Sequence, residues 1–358
     1  MTGPIRLAEN CLKIGSGATP RGGKDVYLAS GPYSLIRSQN VHNDAFYKDG
    51  LAFISDAQAN ELRNVEVLEG DILLNITGDS VARACQVDPD VLPARVNQHV
   101  AIIRPDPIKI DPRFLRYFLV APQTQEFMLG LASAGATRNA LTKGMIERFE
   151  LPPVDIDTQR SVGKMLGLLD DKIELNRRMN ETLEAMAQAI FRDWFVDFGP
   201  VRRKLAGATD AVEIMGGLMP DAGRAAELGG LFPDALNDEG LPEGWTNDPL
   251  SSQVGIIGGG TPKTGIAEYW GGPIPWFSVA DTPSGSDIFV FQTEKSITQR
   301  GLTESSVRLI PAGTTIISAR GTVGNLAIAA GEMTFNQSCY ALRSSRGDHP
   351  FFVYLSAA

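Results

Sequence analysis

Over the first 150 residues, apolar positions fall into short unbroken runs and then into helical spacing. Residues 72–76 (Ile-Leu-Leu-Asn-Ile) and 100–103 (Val-Ala-Ile-Ile) read as buried strands bounded by Gly, Asp and Asn turn signals. Asp111-Pro112 opens a helical stretch through Leu119, and residues 123–131 continue it after the break at Pro122. Leu151-Pro152-Pro153 closes this α+β segment, because tandem prolines continue neither a helix nor a central strand. From Thr158 to Phe198 there is no proline, and two seams of heptad spacing run along the segment. One is Val162, Leu169, Asn176, Leu183 and Ile190; the other is Leu166, Ile173, Asn180, Ala187 and Trp194. Such a segment, about 41 residues long, makes a helix of roughly 60 Å. The seam asparagines cost stability but can fix register. A long amphipathic helix lying on a globular core is the other reading of the same pattern.

The pattern then starts again. Gly15-Ser16-Gly17-Ala18-Thr19-Pro20 is echoed by Gly258-Gly259-Gly260-Thr261-Pro262, and Gly70-Asp71-Ile72-Leu73 with Thr77-Gly78 by Gly313-Thr314-Thr315-Ile316 with Arg320-Gly321. Asn97-Gln98-His99 returns as Asn336-Gln337-Ser338, and Pro112-Arg113-Phe114 as Pro350-Phe351-Phe352. A spacing of roughly 240 residues is that of a duplicated domain, not of a solenoid repeat. The expected organisation is a first module at 1–155, a helix at 156–199, a loosely packed Gly/Ala/Asp-rich linker at 200–240, and a second module at 241–358. The second copy stops near the point that Leu119 occupies in the first, so it is expected to be C-terminally truncated and to lack the Gly/Thr/Arg/Asn loop at 133–144. If the long helix had no partner, its apolar seam would face water, at a loss on the order of 10–20 kcal/mol of burial. Pairing with another helix is therefore expected, most simply with the same helix of a second copy.

Composition narrows the classes. The 358 residues carry 43% hydrophobic and 21% charged side chains, ordinary for a folded protein. No apolar run approaches a membrane span and the N-terminus lacks a signal-peptide core, so a cytoplasmic location is expected. Three isolated cysteines and three isolated histidines give no disulfide framework and no metal-ligand spacing. The net charge of −9 argues mildly against nucleic acid. Most of it lies beyond residue 155, since residues 1–155 hold 16 Lys+Arg against 18 Asp+Glu. There is no phosphate-binding loop, zinc-binding His pair or nucleophile elbow, and Gly258-Gly259-Gly260 runs into Thr261-Pro262 instead of a dinucleotide-binding helix. No catalytic residue, metal or cofactor is expected.

What remains is polar chemistry on loops. Thr19, Arg21 and Lys24, with Thr261 and Lys263 in the second copy, combine hydroxyl and cation in turns suited to phosphate oxygens. Arg37, Gln39 and Asn40, the pair Asn97 and Gln98, and the cluster Arg138, Asn139 and Lys143 offer the forked donors and acceptors that distinguish base edges. Arg320, Asn336 and Gln337 are the corresponding candidates in the second copy. Each group could equally serve a structural turn. The stretch 37–41 aligns loosely with 276–280, so shared Thr-Pro and Asn-Gln groups should be framework or phosphate-facing, and divergent loops should carry specificity.

With Gly-x-Thr-Pro in both copies, Val96-Asn97-Gln98, Gly135-Ala136-Thr137-Arg138, Leu151-Pro152-Pro153 and Trp194-Phe195-Val196-Asp197-Phe198, the chain resembles the DNA-specificity subunit of type I restriction-modification systems. The resemblance implies two target-recognition domains, each reading half of a bipartite double-stranded DNA target, and a helix that pairs in a coiled coil and sets the spacer. It also implies a non-catalytic chain that recruits methyltransferase and restriction subunits, with S-adenosylmethionine on the methyltransferase. The helix-pairing residues would be Val162, Leu166, Leu169, Ile173, Asn176, Asn180, Leu183, Ile190 and Trp194. The family has two such helices where this chain shows one. A coiled-coil scaffold that does not bind DNA is the competing reading, which net acidity favours.

Overall fold

A computed structural model describes residues 3–133, 139–283, 285, 287–347 and 349–358. By internal contacts the chain divides into two compact units, Met1–Ile173 and Glu174–Ala358.

The first unit is built on two four-stranded sheets. The strands of these two sheets are β1 (Cys11–Ser16), β2 (Tyr33–Ile36), β3 (Ala52–Ile54), β4 (Glu66–Val67), β5 (Ile72–Asn75), β6 (Ala84–Gln86), β7 (Ala94–Val96) and β8 (Val100–Pro105). One sheet has the order β1-β8-β5-β6, all antiparallel; the other has the order β3-β2-β7-β4, with β2 and β7 parallel. The unbroken apolar runs are explained by the two-residue period of a strand. Ile72, Leu74, Ala101 and Ile103 face a core shared with α2 (Pro112–Val120), α3 (Pro122–Ser133) and α4 (Lys143–Glu147), which follow the short α1 (Asp56–Glu61). Leu73, Val100 and Ile102 point the other way, into a second core with Leu35, Ile36, Ile54 and Val96 of the neighbouring sheet.

Helix α5 (Ile156–Phe191) fulfils the expectation of a long helix, but its seating differs from the heptad reading. Within the first unit it is held by Gln159, Gly163 and Gly167, all buried. Gln159 Oε1 accepts from Asp111 N (3.1 Å), and its Nε2 donates to the Val154 carbonyl (2.8 Å). A side chain at position 163 would press on Asp111 Oδ1, which explains the glycine. Arg116 and Tyr117 both bond to Asp170, and burial together with that carboxylate pushes the Tyr117 hydroxyl up to about 12, so it stays a donor. Much of the apolar seam faces outward: Leu169, Ile173 and Leu183 are 57%, 50% and 56% exposed, and Asn176 and Asn180 are exposed beside it, while Leu166, Ala187 and Ile190 are half-buried. Polar and glycine positions therefore make the docking face, a placement that apolar spacing cannot reveal.

Two further expectations are corrected. Trp194 lies in a π-helical turn, Arg192–Val196, that ends the long helix, and it packs edge-on against Phe232 at 5.9 Å. It belongs to a local core, not to a helix-pairing seam. Residues 200–240 are not a loose linker. Helices α6 (Gly199–Leu205), α7 (Ala211–Ile214) and α8 (Ala222–Gly229) enclose Val201, Met215, Ala225 and Phe232, with Trp194, Phe198 and Trp245 packed on them. Asp210 and Asp221 cap α7 and α8. The apolar residues are few and spaced by glycines, so the cluster is hard to see in the sequence.

The second module repeats the first. Its strands are β9 (Val254–Gly258), β10 (Trp270–Phe277), β11 (Phe289–Val290), β12 (Lys295–Ile297), β13 (Thr315–Ser318), β14 (Leu326–Ala329), β15 (Thr334–Phe335) and β16 (Cys339–Ser344). The sheet order β9-β16-β13-β14 reproduces β1-β8-β5-β6, with β11 added at the edge. In the order β12-β10-β15, the β10–β15 pair is parallel, as β2–β7 is. The short α9 (Gln299–Thr303) corresponds to α1, and α10 (Pro350–Ala357) to α2. The architecture is α+β in two similar domains, with the long helix between them in chain order.

Candidate nucleic-acid interface

In the first module, the turns at one end of the strands converge on a cleft of about 820 Å³ lined by Ser38, Gln39, Thr77, Gly78, Asp79, Ser80, Arg83, His99, Asn139 and Ala140. Asn139 reaches it because the chain beside it joins the sheet edge: Ala140 bridges Thr77, and Leu141 N donates to the Ile76 carbonyl at 2.9 Å. Thr142 then caps α4, placing Lys143 on its exposed first turn, where it pairs with Glu147 at 3.5 Å.

The rim is a chain of hydrogen bonds. Thr19 bonds to Gln98 Oε1, Gln98 Nε2 meets His99 Nε2 at 3.0 Å, and His99 Nδ1 meets Thr77 Oγ1 at 2.6 Å. A neutral imidazole with its proton on Nδ1 satisfies every link. Asn97 is buried, and its Oδ1 accepts from His99 N at 3.1 Å. Asn40 is fully buried too: its Oδ1 accepts from Arg37 N (3.0 Å), and its Nδ2 donates to the carbonyls of Tyr47 (2.9 Å) and Asp49 (3.2 Å). Both asparagines, expected to read base edges, instead hold loops in place. Arg37 bonds to the Gly50 carbonyl and lies over the Tyr27 ring, while exposed Gln39 shares that carbonyl at 3.2 Å. Asn75 supports the same turn from beneath, donating to the Ser38 carbonyl at 2.8 Å.

Arg21 and Lys24 are exposed on the turn after β1, which Thr19 ties to the rim. Arg138 lies outside the described residues. Ser80 and Arg83 were not singled out from the sequence, whereas His99 closes the Asn97-Gln98-His99 stretch already read there. Thr77 sat in a motif already noticed, whereas Arg83 carries no local signal.

The second module repeats part of the rim, the Thr–Gln bond and the Asn cap. Thr261 bonds to Gln337, and Asn336 Oδ1 accepts from Ser338 N at 3.0 Å. Gly17 and Gly259 occupy equivalent places, where a Cβ would overlap the carbonyl oxygens of Asn97 and Asn336. Lys263 and Arg320 are exposed. Backbone pairing corrects the loop alignment by two residues: Asn97 N donates to the Ile36 carbonyl and Asn336 N to the Phe277 carbonyl, so Arg37 matches Ser278 and Gln39 matches Ala280. Asn40 and Asp281 are the matching caps, the latter accepting from Ser278 N at 2.8 Å. No group of acidic, His or Cys side chains suited to a metal occurs among the described residues, and no described helix is long and apolar enough to cross a membrane.

Sequence comparison finds similar proteins of one kind. Residues 242–358 match the type I restriction modification DNA specificity domain. The specificity subunit of the type I restriction enzyme HindI from Haemophilus influenzae is 28% identical over 353 residues, covering 90% of this chain and 76% of that protein. The MjaIX specificity subunit from Methanocaldococcus jannaschii is 36% identical over 97 residues, 27% of this chain and 22% of its own length. Among solved structures, the type I S subunit from M. genitalium covers 99% of this chain and 76% of its own, at 12% identity and a TM-score of 0.47. The HsdS subunit from Thermoanaerobacter tengcongensis covers 99% and 79%, at 18% identity and a TM-score of 0.33. Residues 242–358 thus match the DNA specificity domain of type I restriction-modification systems, and 90% of the chain is similar to a specificity subunit of such a system.

Proposed function

We propose that this non-catalytic specificity subunit reads a bipartite duplex, one half-site per module, through the turns around the first-module cleft and their second-module counterparts. One observation carries the reading: the same hydrogen-bonded rim, Thr19–Gln98 and Thr261–Gln337, supports turns whose outward side chains differ. Gln39, Arg83 and Asn139 present donors and acceptors to base edges, while Arg21, Lys24, Lys143, Lys263 and Arg320 meet phosphates. The acidic remainder of the chain favours partners that supply further phosphate contacts.

In this reading the outward seam of α5, with Val162, Leu166, Leu169, Ile173 and Leu183, pairs with a second helix, most simply that of another copy, and sets the spacer. Methyltransferase subunits, which bring S-adenosylmethionine, and restriction subunits dock on the assembly in the cytoplasm. Co-purification with the methyltransferase subunit, followed by footprinting on random duplex, tests the proposal. Enrichment of a split sequence is expected; assembly without sequence enrichment would favour a scaffold. Sedimentation should show a dimer at micromolar concentration, and a stable monomer would contradict the helix pairing.

A further inference from the structure

The turn after β13 differs from its counterpart after β5 in length and in chemistry. In the first module Ala82 N returns to the Asn75 carbonyl (2.9 Å); in the second Gly324 N returns to the Ser318 carbonyl (2.9 Å), so the turn is one residue shorter. It is pinned from inside. The buried Ser318 hydroxyl accepts from Asn325 N (3.0 Å) and donates to the Thr322 carbonyl. Gly321 and Gly324, at φ 84° and 92°, take the left-handed conformations that the tight path requires. The tip this creates carries Val323, 74% exposed, with exposed Arg320 at its start. Val279 lies against the same turn, its Cγ1 being 3.9 Å from where a Cβ of residue 321 would stand. Val279 and Ala280 take the places of Ser38 and Gln39, and Ser338 that of His99.

We propose that Val323 is a specificity-determining residue that packs on the C5-methyl group of a pyrimidine in the second module's half-site. This rests on the DNA-reading function proposed above. In the major groove that methyl is the one apolar feature a base pair presents, whereas an isopropyl group against N7, O6 or an amino group would desolvate it without a replacement hydrogen bond. The pinned backbone holds the side chain in place before contact, so little ordering entropy opposes binding. Thymine and 5-methylcytosine carry the same group, and the test separates them.

Sequences are selected from random duplex by the full chain assembled with its methyltransferase subunit. Within the selected site, deoxyuridine then replaces thymidine one position at a time, and 5-methylcytosine replaces cytosine in a parallel series. One position in one half-site should lose about fourfold in affinity with deoxyuridine, equivalent to burial of one methyl at ~0.8 kcal/mol. If the cytosine series alone responds, the methyl is that of 5-methylcytosine, and the inference also holds. V323S should abolish the response at that position while leaving the other half-site unchanged, and V323I should keep it. A split site selected normally but indifferent to every methyl substitution, or a response that survives V323S, would overturn the inference and leave the DNA-reading function standing. Absence of any selected sequence would overturn both.

Discussion

In the first module Thr19 is tied to Gln98, and Asn97 caps the turn into His99; in the second, Thr261, Gln337, Asn336 and Ser338 repeat the arrangement. Yet Gln39 faces outward where the second module has Ala280, and the six-residue excursion at 76–81 becomes five at 319–323. Side chains that tie the turns together are kept in both copies even where they are exposed, as Thr19, Gln98 and Gln337 are, whereas the outward Gln39 and Ala280 differ. The cores differ too. A bidentate ion pair from Arg104 to the fully buried Asp71 (2.7 and 2.8 Å) braces the first module, while Thr314 and exposed Arg343 stand at those places in the second.

The largest effects should test the shared framework. Gly17→Ala and Gly259→Ala each force a methyl onto a carbonyl oxygen and should each cost about 3 kcal/mol, read as loss of one of two urea transitions; a cost under about 1 kcal/mol would mean that the turn is not the common constraint. Arg104→Ala should cost about 3 kcal/mol by stranding a buried carboxylate, whereas Arg343→Ala should stay within about 0.5 kcal/mol. Equal losses would erase the contrast between the cores.

Smaller effects separate readers from anchors. Gln39→Ala should weaken binding by about 1–2 kcal/mol at one half-site alone, with an unchanged urea midpoint. Lys24→Ala and Lys263→Ala should weaken all sequences alike, each lowering the slope of log affinity against log salt by about 1. Acid should expose a further local difference. Asp155 caps the start of α5, and hydrogen bonds from the Thr158 hydroxyl and N–H hold its carboxyl below the usual range. Its folded pKa being the lower one, this contribution is present above about pH 4 and is lost as pH falls through the folded value. Asp155→Asn should flatten that part of an acid-unfolding curve followed by circular dichroism.

Much of this is legible in the sequence. The echoes around Thr19, Asp71, Asn97 and Pro112 revealed the duplication because tight turns and buried strands admit few residues. The two-residue misalignment at Arg37 arose because its match, Ser278, shares nothing with it except a cap three residues on, Asn40 in one copy and Asp281 in the other. Heptad spacing located α5 but not its docking face, since Gly163 and Gly167 carry no apolar signal. Asn40 and Asn97 resembled readers because a side-chain amide that caps a loop and one that meets a base are the same chemical group.

The most direct test of the central claim is selection of bound sequences by the intact methyltransferase assembly carrying either the wild-type chain or Gln39→Ala. Two separated half-sites should emerge, with the substitution relaxing preference in one and leaving the other unaltered. A single contiguous site, or a change spread equally across both halves, would contradict independent reading by the two modules.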